Sequence, residues 1–169
     1  IHNYEIQEYN NKKLFLVVND EDIDVSNYVH DVQNVEVLQY SKRHNLGYCL
    51  NRAIEKMKTL NYSIFTKFDD DDIYTSLYLS EQVKHLIEKN VEVVGKQCVR
   101  IYLPLQNKVM RAQELFQENC EADHLCGGTI TFDINKTNIK FDETLDYGTD
   151  SKFLKDVQNI GGKLYSTSI

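Results

Sequence analysis

The sequence predicts one α/β domain over residues 1–169, built on a mixed but mostly parallel sheet that is flanked by helices. Two observations lead to this prediction. Short β-rich apolar runs alternate along the chain with stretches whose apolar residues recur at helical spacing. Of the 169 residues, 41% are hydrophobic and 27% are charged, and a chain of this kind can bury a sizeable core without a disulfide or a metal. Disordered and collagen-like classes are excluded, and no apolar run is long enough to predict a transmembrane helix.

The first half of the chain contains three predicted strands and two predicted helices. Apolar side chains recur at helical spacing from Leu46 to Met57, where Asn45 is the expected N-cap, and again from Leu79 to Ile87. Runs rich in β-branched and aromatic residues alternate with these helices. The corresponding strands lie at residues 13–19, 35–40 and 63–68.

The second half continues the alternation. A turn at 106–108 separates two strand-like runs and predicts a hairpin. A helix over 150–158 is expected to end at Gly161 and Gly162, and a shorter helix is expected over 112–119. The remaining predicted strands lie at residues 91–94, 98–103, 129–132 and 163–166.

Two acidic clusters directly follow predicted strands, at residues 19–22 and 69–72. In α/β sheets, ligands bind beyond the carboxyl ends of the strands. The four consecutive aspartates of the second cluster repel one another unless a cation or a ligand compensates them, and Mg²⁺ and Mn²⁺ prefer carboxylate oxygens. The residues therefore predict a metal-bound diphosphate, and the alternative is a solvated acidic surface. The spacing does not fit an EF-hand, and the chain has no P-loop.

Charge and cysteine content narrow the class of protein further. The net charge of −7 and the sequence pI near 5.2 disfavour nucleic acid or an anionic bilayer as the main partner. Four irregularly spaced cysteines favour a reducing cytoplasm over a secreted disulfide framework. Metal-ligand types cluster at Cys120, Asp123, His124 and Cys126, but the second half of a zinc motif is missing, so we expect buried thiols there rather than structural zinc.

Six sequence blocks span nearly the whole chain: KKLFLVVND, NRAIEKM, SIFTKFDDDDIY, ADHLCGG, FDETLDYGTDSKFL and GGKLYS. Their order and spacing resemble the inverting family-2 glycosyltransferases of the GT-A fold, and more narrowly the spore-coat polysaccharide type. The resemblance implies transfer of a sugar from a nucleoside-diphosphate sugar, with UDP as the expected nucleotide, to a hydroxyl of a saccharide or another acceptor in cell-surface or spore polysaccharide synthesis. It implies a Mn²⁺ or Mg²⁺ cofactor. The family's first strand would precede Ile1, which is not an initiator methionine.

The resemblance also implies a location and a set of partners. The protein would be cytoplasmic, at the inner face of the membrane if parts outside this chain attach it peripherally. Its partners would be the nucleotide-sugar donor and the acceptor, and no nucleic acid is expected.

The donor side of the implied site lies at the two acidic clusters. Asn19 stands where the family has the acid that binds uracil, with Asp20 next to it, and an amide oxygen can still accept the N–H of the base. The alternative is an Asx turn at the end of the strand. The family's DxD motif falls on Asp69, Asp70 and Asp71. In that motif Asp71 would bind the metal, and the first two would face the ribose.

Three further residues are candidates around this motif. Asp72 would support a metal ligand or cap a helix. Arg52 and Arg43 could contact a phosphate group, and ordinary solvation on the surface of a helix is the alternative.

The acceptor side lies near the other end of the chain. The resemblance implies that Asp150, which follows Thr149 in the sequence GTD, is the general base, and the alternative is a helix N-cap. Asp123 and His124 would bind an acceptor hydroxyl or orient the base, although a lone histidine satisfied by the structure is equally consistent with the sequence.

Two other functions stay open. One is a metal-dependent nucleotidyltransferase, whose triphosphate loop could precede Ile1. The other is a non-catalytic module that binds a sugar nucleotide. Release of nucleoside diphosphate, of pyrophosphate or of neither product separates the three functions.

Overall fold

The structure is a computed structural model that describes residues 1–111 and 117–168. Most of the helix expected at 112–119 lies outside the described residues. Strands and helices alternate along much of the described chain. The strands are β1 (Leu14–Val18), β2 (Val35–Gln39), β3 (Ile64–Thr66), β4 (Val93–Gly95), β5 (Arg100–Leu103), β6 (Lys108–Arg111), β7 (Cys120–Ala122), β8 (Thr131–Asp133) and β9 (Leu164–Ser166). The helices are α1 (His2–Glu5), α2 (Ser26–Val29), α3 (Leu46–Thr59), α4 (Tyr78–Lys89) and α5 (Thr149–Asn159).

Among the described strands, five form a mixed central sheet in the order β3-β8-β4-β9-β7. Strands β3 and β4 both pair antiparallel with β8, β7 pairs antiparallel with β9, and β4 is parallel to β9. The predicted mixed α/β architecture is confirmed, but the expectation of a mostly parallel sheet is wrong for these hydrogen-bonded neighbours. The reason is that β8 inserts between β3 and β4, and an apolar run in the sequence does not reveal the direction of its strand.

Helices cover both faces of the central sheet. Successive strand residues point to opposite faces, and here both faces carry apolar side chains that must be buried. Val93 and Leu164 pack in the core cluster that includes residues of α3 and α5, whereas their neighbours Val94 and Tyr165 pack against Leu86 of α4. The result is a three-layer arrangement of helices, sheet and helix. The fully or nearly buried members of the larger cluster are Met57, Phe65, Val93, Leu125, Ile130, Phe132, Ile134, Phe141, Phe153, Leu154, Val157 and Leu164.

Local sequence signals locate the long helices. The side chain of Asn45 accepts a hydrogen bond from the backbone N–H of Tyr48 at 3.0 Å, so the predicted cap of α3 is confirmed. Helix α5 begins at Thr149, and the residue that precedes it, Gly148, has a φ of 73°, a left-handed conformation that suits glycine. Asp150 lies in the first turn and makes no capping hydrogen bond, so the alternative that it is the N-cap is wrong.

Three short elements are absent from the sequence prediction. They are α1 and α2, with four residues each, and β7, with three. The two helices are only about one turn long, and β7 lies in a polar stretch, so none of the three shows a hydrophobic run or period. Within the described residues, no helix combines the length and the apolar character that a membrane crossing requires.

A gap separates β1 from the central sheet. Strand β1 pairs with β2 in a separate parallel ladder, and a cavity of about 280 Å³ lies between β1 and β3. In a paired strand, the N–H and C=O groups of alternate residues point to opposite sides of the strand. The N–H and C=O groups of Phe15 and Val17 therefore point away from β2, and those of Ile64 and Thr66 point away from β8. In residues 1–111 and 117–168, no backbone hydrogen bond crosses the gap from these four residues.

Side chains from both helical layers line the gap. Leu50, Ala53 and Met57 line it from α3, and Leu79 and Val83 line it from α4. The gap is therefore bounded by two strand edges and two apolar layers.

Candidate functional site

Lys67 is the central cation of the candidate site. It directly follows β3, its side chain is only 6% exposed, and its Nζ lies 2.9 Å from Asp69 Oδ1 and 2.9 Å from Asp150 Oδ2. Burial alone would lower the pKa of Lys67, but the hydrogen bonds and charges of the two aspartates outweigh burial and raise it. Lys67 therefore stays protonated and joins the end of β3 to the start of α5.

The fold explains why these groups meet. Lys67 is two residues beyond the buried Phe65, so it points to the same face of the sheet, the face that α5 covers. The loop ahead of α5 is fixed to α3, because Asn51 donates to the carbonyl of Phe141 at 2.8 Å and accepts from its N–H at 3.0 Å. Asp150 lies in the first turn of α5, where the helix dipole stabilises its negative charge.

The two carboxylate oxygens of Asp150 differ in their surroundings. Oδ2 pairs with Lys67, whereas Oδ1 is buried and has no hydrogen-bond partner among the described residues. A buried acceptor without a partner is costly, and such atoms point to a missing ligand or water. Gly127 lies against this carboxylate, because a Cβ built on Gly127 would overlap Asp150 Oδ2.

Two further carboxylates converge on Gly128. A Cβ on Gly128 would lie 2.7 Å from Asp69 Oδ2 and 2.8 Å from Asp72 Oδ2. Tyr74 fixes this turn, since its hydroxyl donates to the carbonyl of Gly128 at 2.6 Å and accepts from the N–H of Asp69 at 3.0 Å. Burial and the charges of Asp69 and Asp71 raise the pKa of Asp72. A cation at this point would relieve the repulsion among the carboxylates.

The donor set fits a hard divalent ion only in part. Two converging carboxylates match the one or two that Mg²⁺ commonly takes from a protein, the remaining positions being filled by water or phosphate oxygens. Among the described residues, no group of three or more histidine, cysteine, aspartate or glutamate side chains is placed to hold a metal ion. Asp69 is half-buried, whereas Asp70, Asp71 and Asp72 are exposed. Asp72 does not cap α4, whose N-cap is Leu77, so that alternative is wrong.

Asn19 and Asp20 lie at the carboxyl end of β1 and are held by local contacts. The Asn19 amide accepts from the N–H of His44 at 2.6 Å and donates to the carbonyl of the same residue. Asp20 Oδ1 accepts from the N–H of Asp22 at 3.0 Å, which is an Asx-type turn. Both side chains therefore shape the loops at the start of α3 and after β1.

Among the described residues, the two candidate arginines make no hydrogen bond or ion pair with the acidic loop at 69–72. Arg52 pairs with Glu143 at 3.2 Å and with Glu55 at 3.0 Å, and its guanidinium lies 5.0 Å from the ring centre of Tyr48. Arg43 is exposed on the loop before α3.

Asp123 and His124 are exposed, three and two residues before Cys126 respectively. The backbone carbonyl of Asp123 accepts a hydrogen bond from Gln158 of α5 at 3.0 Å. Within the described residues, neither side chain is hydrogen-bonded to Asp150. Burial is the main factor that raises the pKa of the half-buried Cys126 thiol, whose Sγ lies 3.6 Å from the Gln97 carbonyl oxygen.

Four residues of the site are absent from the sequence prediction. They are Lys67, Tyr74, Gly127 and Gly128. The position of Lys67 two residues after a core phenylalanine is a sequence signal for its orientation. The contacts of Gly128 with Tyr74 and with the acidic loop span more than 50 residues, and the contact of Gly127 with Asp150 spans more than 20, so no local signal indicates them.

Comparison with known proteins establishes the fold and no more. No protein-family model and no curated protein matches the chain. Among solved structures, the chain is similar to the one described as "Crystal Structure of A197 from STIV", with a TM-score of 0.58 and 16% sequence identity. The match covers 93% of this chain and 82% of that one. At this identity the likeness concerns the α/β fold alone.

Proposed function

We propose that the protein is an inverting glycosyltransferase that moves a sugar from a nucleoside-diphosphate sugar, with UDP as the nucleotide, to a hydroxyl group. The observation that carries the proposal is the unpartnered, buried Oδ1 of Asp150. The carboxylate of Asp150 lies against Gly127, and those of Asp69 and Asp72 converge on the next residue, Gly128. A free carboxylate oxygen suits a general base, and the converging carboxylates suit a cation-bound diphosphate. The proposed base therefore contacts Gly127, and the proposed cation-binding carboxylates contact the adjacent Gly128.

On the acceptor side, Asp150 is the proposed base. The acceptor oxygen forms a bond to the anomeric carbon while the bond from that carbon to the diphosphate oxygen breaks, and the electron pair of the broken bond leaves with the diphosphate. The proton of the acceptor hydroxyl passes to Asp150 Oδ1. Lys67 stays protonated and holds Oδ2, so it orients the carboxylate. Asp123 and His124 are the proposed acceptor-side contacts.

On the donor side, the proposed ligands of a Mn²⁺ or Mg²⁺ ion are Asp69 and Asp72, whose carboxylates converge on Gly128, and the resemblance adds Asp71. Such an ion, when bound, neutralises charge on the diphosphate. Asn19, Asp20, Asp70 and Arg52 remain proposed nucleotide contacts on the strength of the resemblance. The Oδ1 of Asn19 keeps a second lone pair beside the bond from His44, which a base N–H could use.

The GT-A architecture is part of the same proposal. A strand between β1 and β3 would pair with the free backbone groups of Phe15, Val17, Ile64 and Thr66 and would join the two sheets into one. Asn3 donates to the carbonyl of Asp72 at 2.7 Å, so the start of the described chain lies at the carboxyl end of β3. A strand that led directly into Ile1 would therefore run parallel to β3.

The proposed setting is the cytoplasm, at the inner face of the membrane where segments outside this chain attach the protein. The proposed partners are the sugar nucleotide and a saccharide or another hydroxyl acceptor. The acidic chain is not proposed to bind nucleic acid.

Product analysis tests the function directly. The protein is incubated with Mn²⁺ and a panel of UDP-sugars and hydroxyl acceptors, and then with nucleoside triphosphates and sugar phosphates. Release of UDP that depends on the acceptor and is lost in Asp150→Asn supports the proposal. Release of pyrophosphate would instead identify a nucleotidyltransferase, and ligand binding without turnover would identify a binding module.

A further inference from the structure

The hairpin of β5 and β6 exposes apolar side chains on both of its faces. Ile101 lies opposite Met110 on one face, and Tyr102 lies opposite Val109 on the other, and all four are about half exposed or more. Leu105, in the turn between the strands, is fully exposed. Apolar side chains seldom cluster in this way on a soluble surface, and a two-stranded hairpin is marginally stable in water without a surface to pack on. These features indicate an interaction surface.

The hairpin also differs in charge from the rest of the protein. Residues 100–111 include Arg100, Lys108 and Arg111 and no acidic residue, although the chain carries a net charge of −7. Arg111 pairs with Glu118 at 2.7 Å. Arg100 and Lys108 are exposed, and within the described residues neither side chain makes an ion pair or a hydrogen bond. The hairpin is therefore a local cationic and apolar surface on an acidic protein.

We propose that the β5–β6 hairpin docks on an anionic lipid bilayer, with Leu105 at the deepest point. Exposed cations are attracted to anionic headgroups, while apolar and aromatic side chains enter the interface beneath them. The acidic remainder is repelled by the same headgroups, so the hairpin is the part of the protein that approaches. The overall charge disfavours a bilayer as the main partner, and the hairpin is a local exception to that rule.

The shape of the hairpin favours a bilayer over a protein groove. A groove or a second copy of the chain would cover one face of the hairpin and leave the other in water. Here the apolar side chains occupy both faces and the turn, which suits a fluid apolar medium that surrounds the tip. Lipid is such a medium.

The hairpin is rooted beside the candidate site. The N–H of Cys126 donates to the carbonyl of Lys96 at 2.8 Å, and Gly127 follows Cys126. A docked hairpin would thus hold the Gly127–Gly128 turn near the membrane surface. The docking proposal does not depend on the proposed function, because vesicle binding is measured without turnover.

Cosedimentation with vesicles tests the proposal. The full chain is mixed with phosphatidylcholine vesicles that contain about 30% phosphatidylserine, and with vesicles of phosphatidylcholine alone. Binding is expected only to the anionic vesicles and is expected to fall steeply at about 0.5 M salt. Replacing Arg100 and Lys108 by glutamine should weaken binding by about fivefold for each cation, and Leu105→Asp should weaken it by about tenfold or more.

Matched variants elsewhere control for composition. Ile87→Asp changes an exposed apolar residue of α4, and Lys58→Gln with Lys155→Gln removes two exposed cations far from the hairpin in the chain. These variants should bind like the unaltered chain. Equal binding to neutral vesicles, no binding, or a hairpin variant that binds normally overturns the proposal. A dimer in sedimentation equilibrium that Leu105→Asp dissociates would also overturn it, by identifying a second copy as the partner.

Discussion

The ammonium of Lys67 lies 2.9 Å from a carboxylate oxygen of Asp150, although 83 residues separate the two in the chain. This contact joins the end of β3 to the first turn of α5. The two oxygens of the Asp150 carboxylate have different surroundings, because Oδ2 is held by Lys67 while Oδ1 has no partner among the described residues. A stabilising ion pair and a proposed catalytic base therefore share one side chain.

The Lys67–Asp150 pair should show strong energetic coupling. Lys67→Met leaves Asp150 without its counter-charge, and Asp150→Asn leaves Lys67 with Asp69 as its remaining partner. Each variant should therefore lower the free energy of unfolding by about 1–3 kcal/mol. Urea unfolding of both single variants and the double variant gives the coupling energy, expected to be about 1 kcal/mol or more. Asp156→Asn, at a more exposed i,i+4 pair of the same helix, should cost less than about 0.5 kcal/mol. Additive costs at Lys67 and Asp150 would contradict the pairing.

The same pair predicts an alkaline limit of stability. Because the pKa of Lys67 is raised in the folded state, its contribution is fully present below the ordinary lysine pKa and is lost as the pH rises through the raised value. Unfolding measured from neutral to strongly alkaline pH should show this loss, and Lys67→Met should remove it. A Lys67→Met variant with an unchanged alkaline profile would show that other groups cause the loss.

Asp72 should oppose folding and favour cation binding. Its raised pKa means that the folded chain holds this proton more tightly than the unfolded chain does. Stability from this group is thus present at low pH and is lost as the pH rises through the raised value. Asp72→Asn should raise the free energy of unfolding at pH 7 slightly, by up to about 0.5 kcal/mol. It should also reduce the stabilisation by Mn²⁺, whereas Glu88→Gln on α4 should leave that stabilisation unchanged. A lower stability of Asp72→Asn at pH 7 would refute the predicted repulsion.

Alanine at the two adjacent glycines should separate the two halves of the site. Gly128→Ala places a methyl group between the Asp69 and Asp72 oxygens, so it should weaken Mn²⁺-dependent UDP binding by about tenfold, the equivalent of about 1.4 kcal/mol. Gly127→Ala displaces the Asp150 carboxylate and should lower the turnover rate with less effect on UDP binding. Calorimetry and product analysis on both variants measure the two effects. The reverse pattern would show that the donor and acceptor sides are assigned the wrong way round.

Nucleotide binding should depend on a divalent ion. Without one, a diphosphate is repelled by the carboxylates of the acidic loop, since Lys67 is already paired with Asp69 and Asp150. UDP with Mn²⁺ at 100 times its dissociation constant should add about 2.7 kcal/mol to the stability, and UDP with EDTA should add nothing. A thermal-shift panel measures this. Equal shifts with and without the metal would exclude a bridging cation.

The gap between β1 and β3 should be visible in amide exchange. The amides of Phe15, Val17, Ile64 and Thr66 should exchange faster than that of Leu14, which donates to Asn34 at 2.9 Å. A strand of alternating valine and threonine fused ahead of Ile1 should slow these four amides, and the same fusion with proline at the pairing positions should not. Slow exchange of the four amides without any fusion would show that the gap is closed.

The sequence by itself determined the elements whose signals are local. The helical spacing and the Asn45 cap located α3, the spacing from Leu79 to Ile87 located α4, and the turn near 106 predicted the hairpin of β5 and β6. These signals arise from contacts within a few residues, so they are present in the order of the amino acids. The acidic run after β3 was likewise evident as a candidate site.

Only the tertiary structure decided which distant groups meet. The insertion of β8 between β3 and β4, the pairing of Lys67 with Asp150, and the approach of Gly128 to the acidic loop all join residues more than 35 positions apart. Hydrophobic periodicity specifies which face of an element is buried, but it does not specify the element that covers that face. That choice depends on packing and pairing over the whole chain, and here it brings the two halves of the candidate site together.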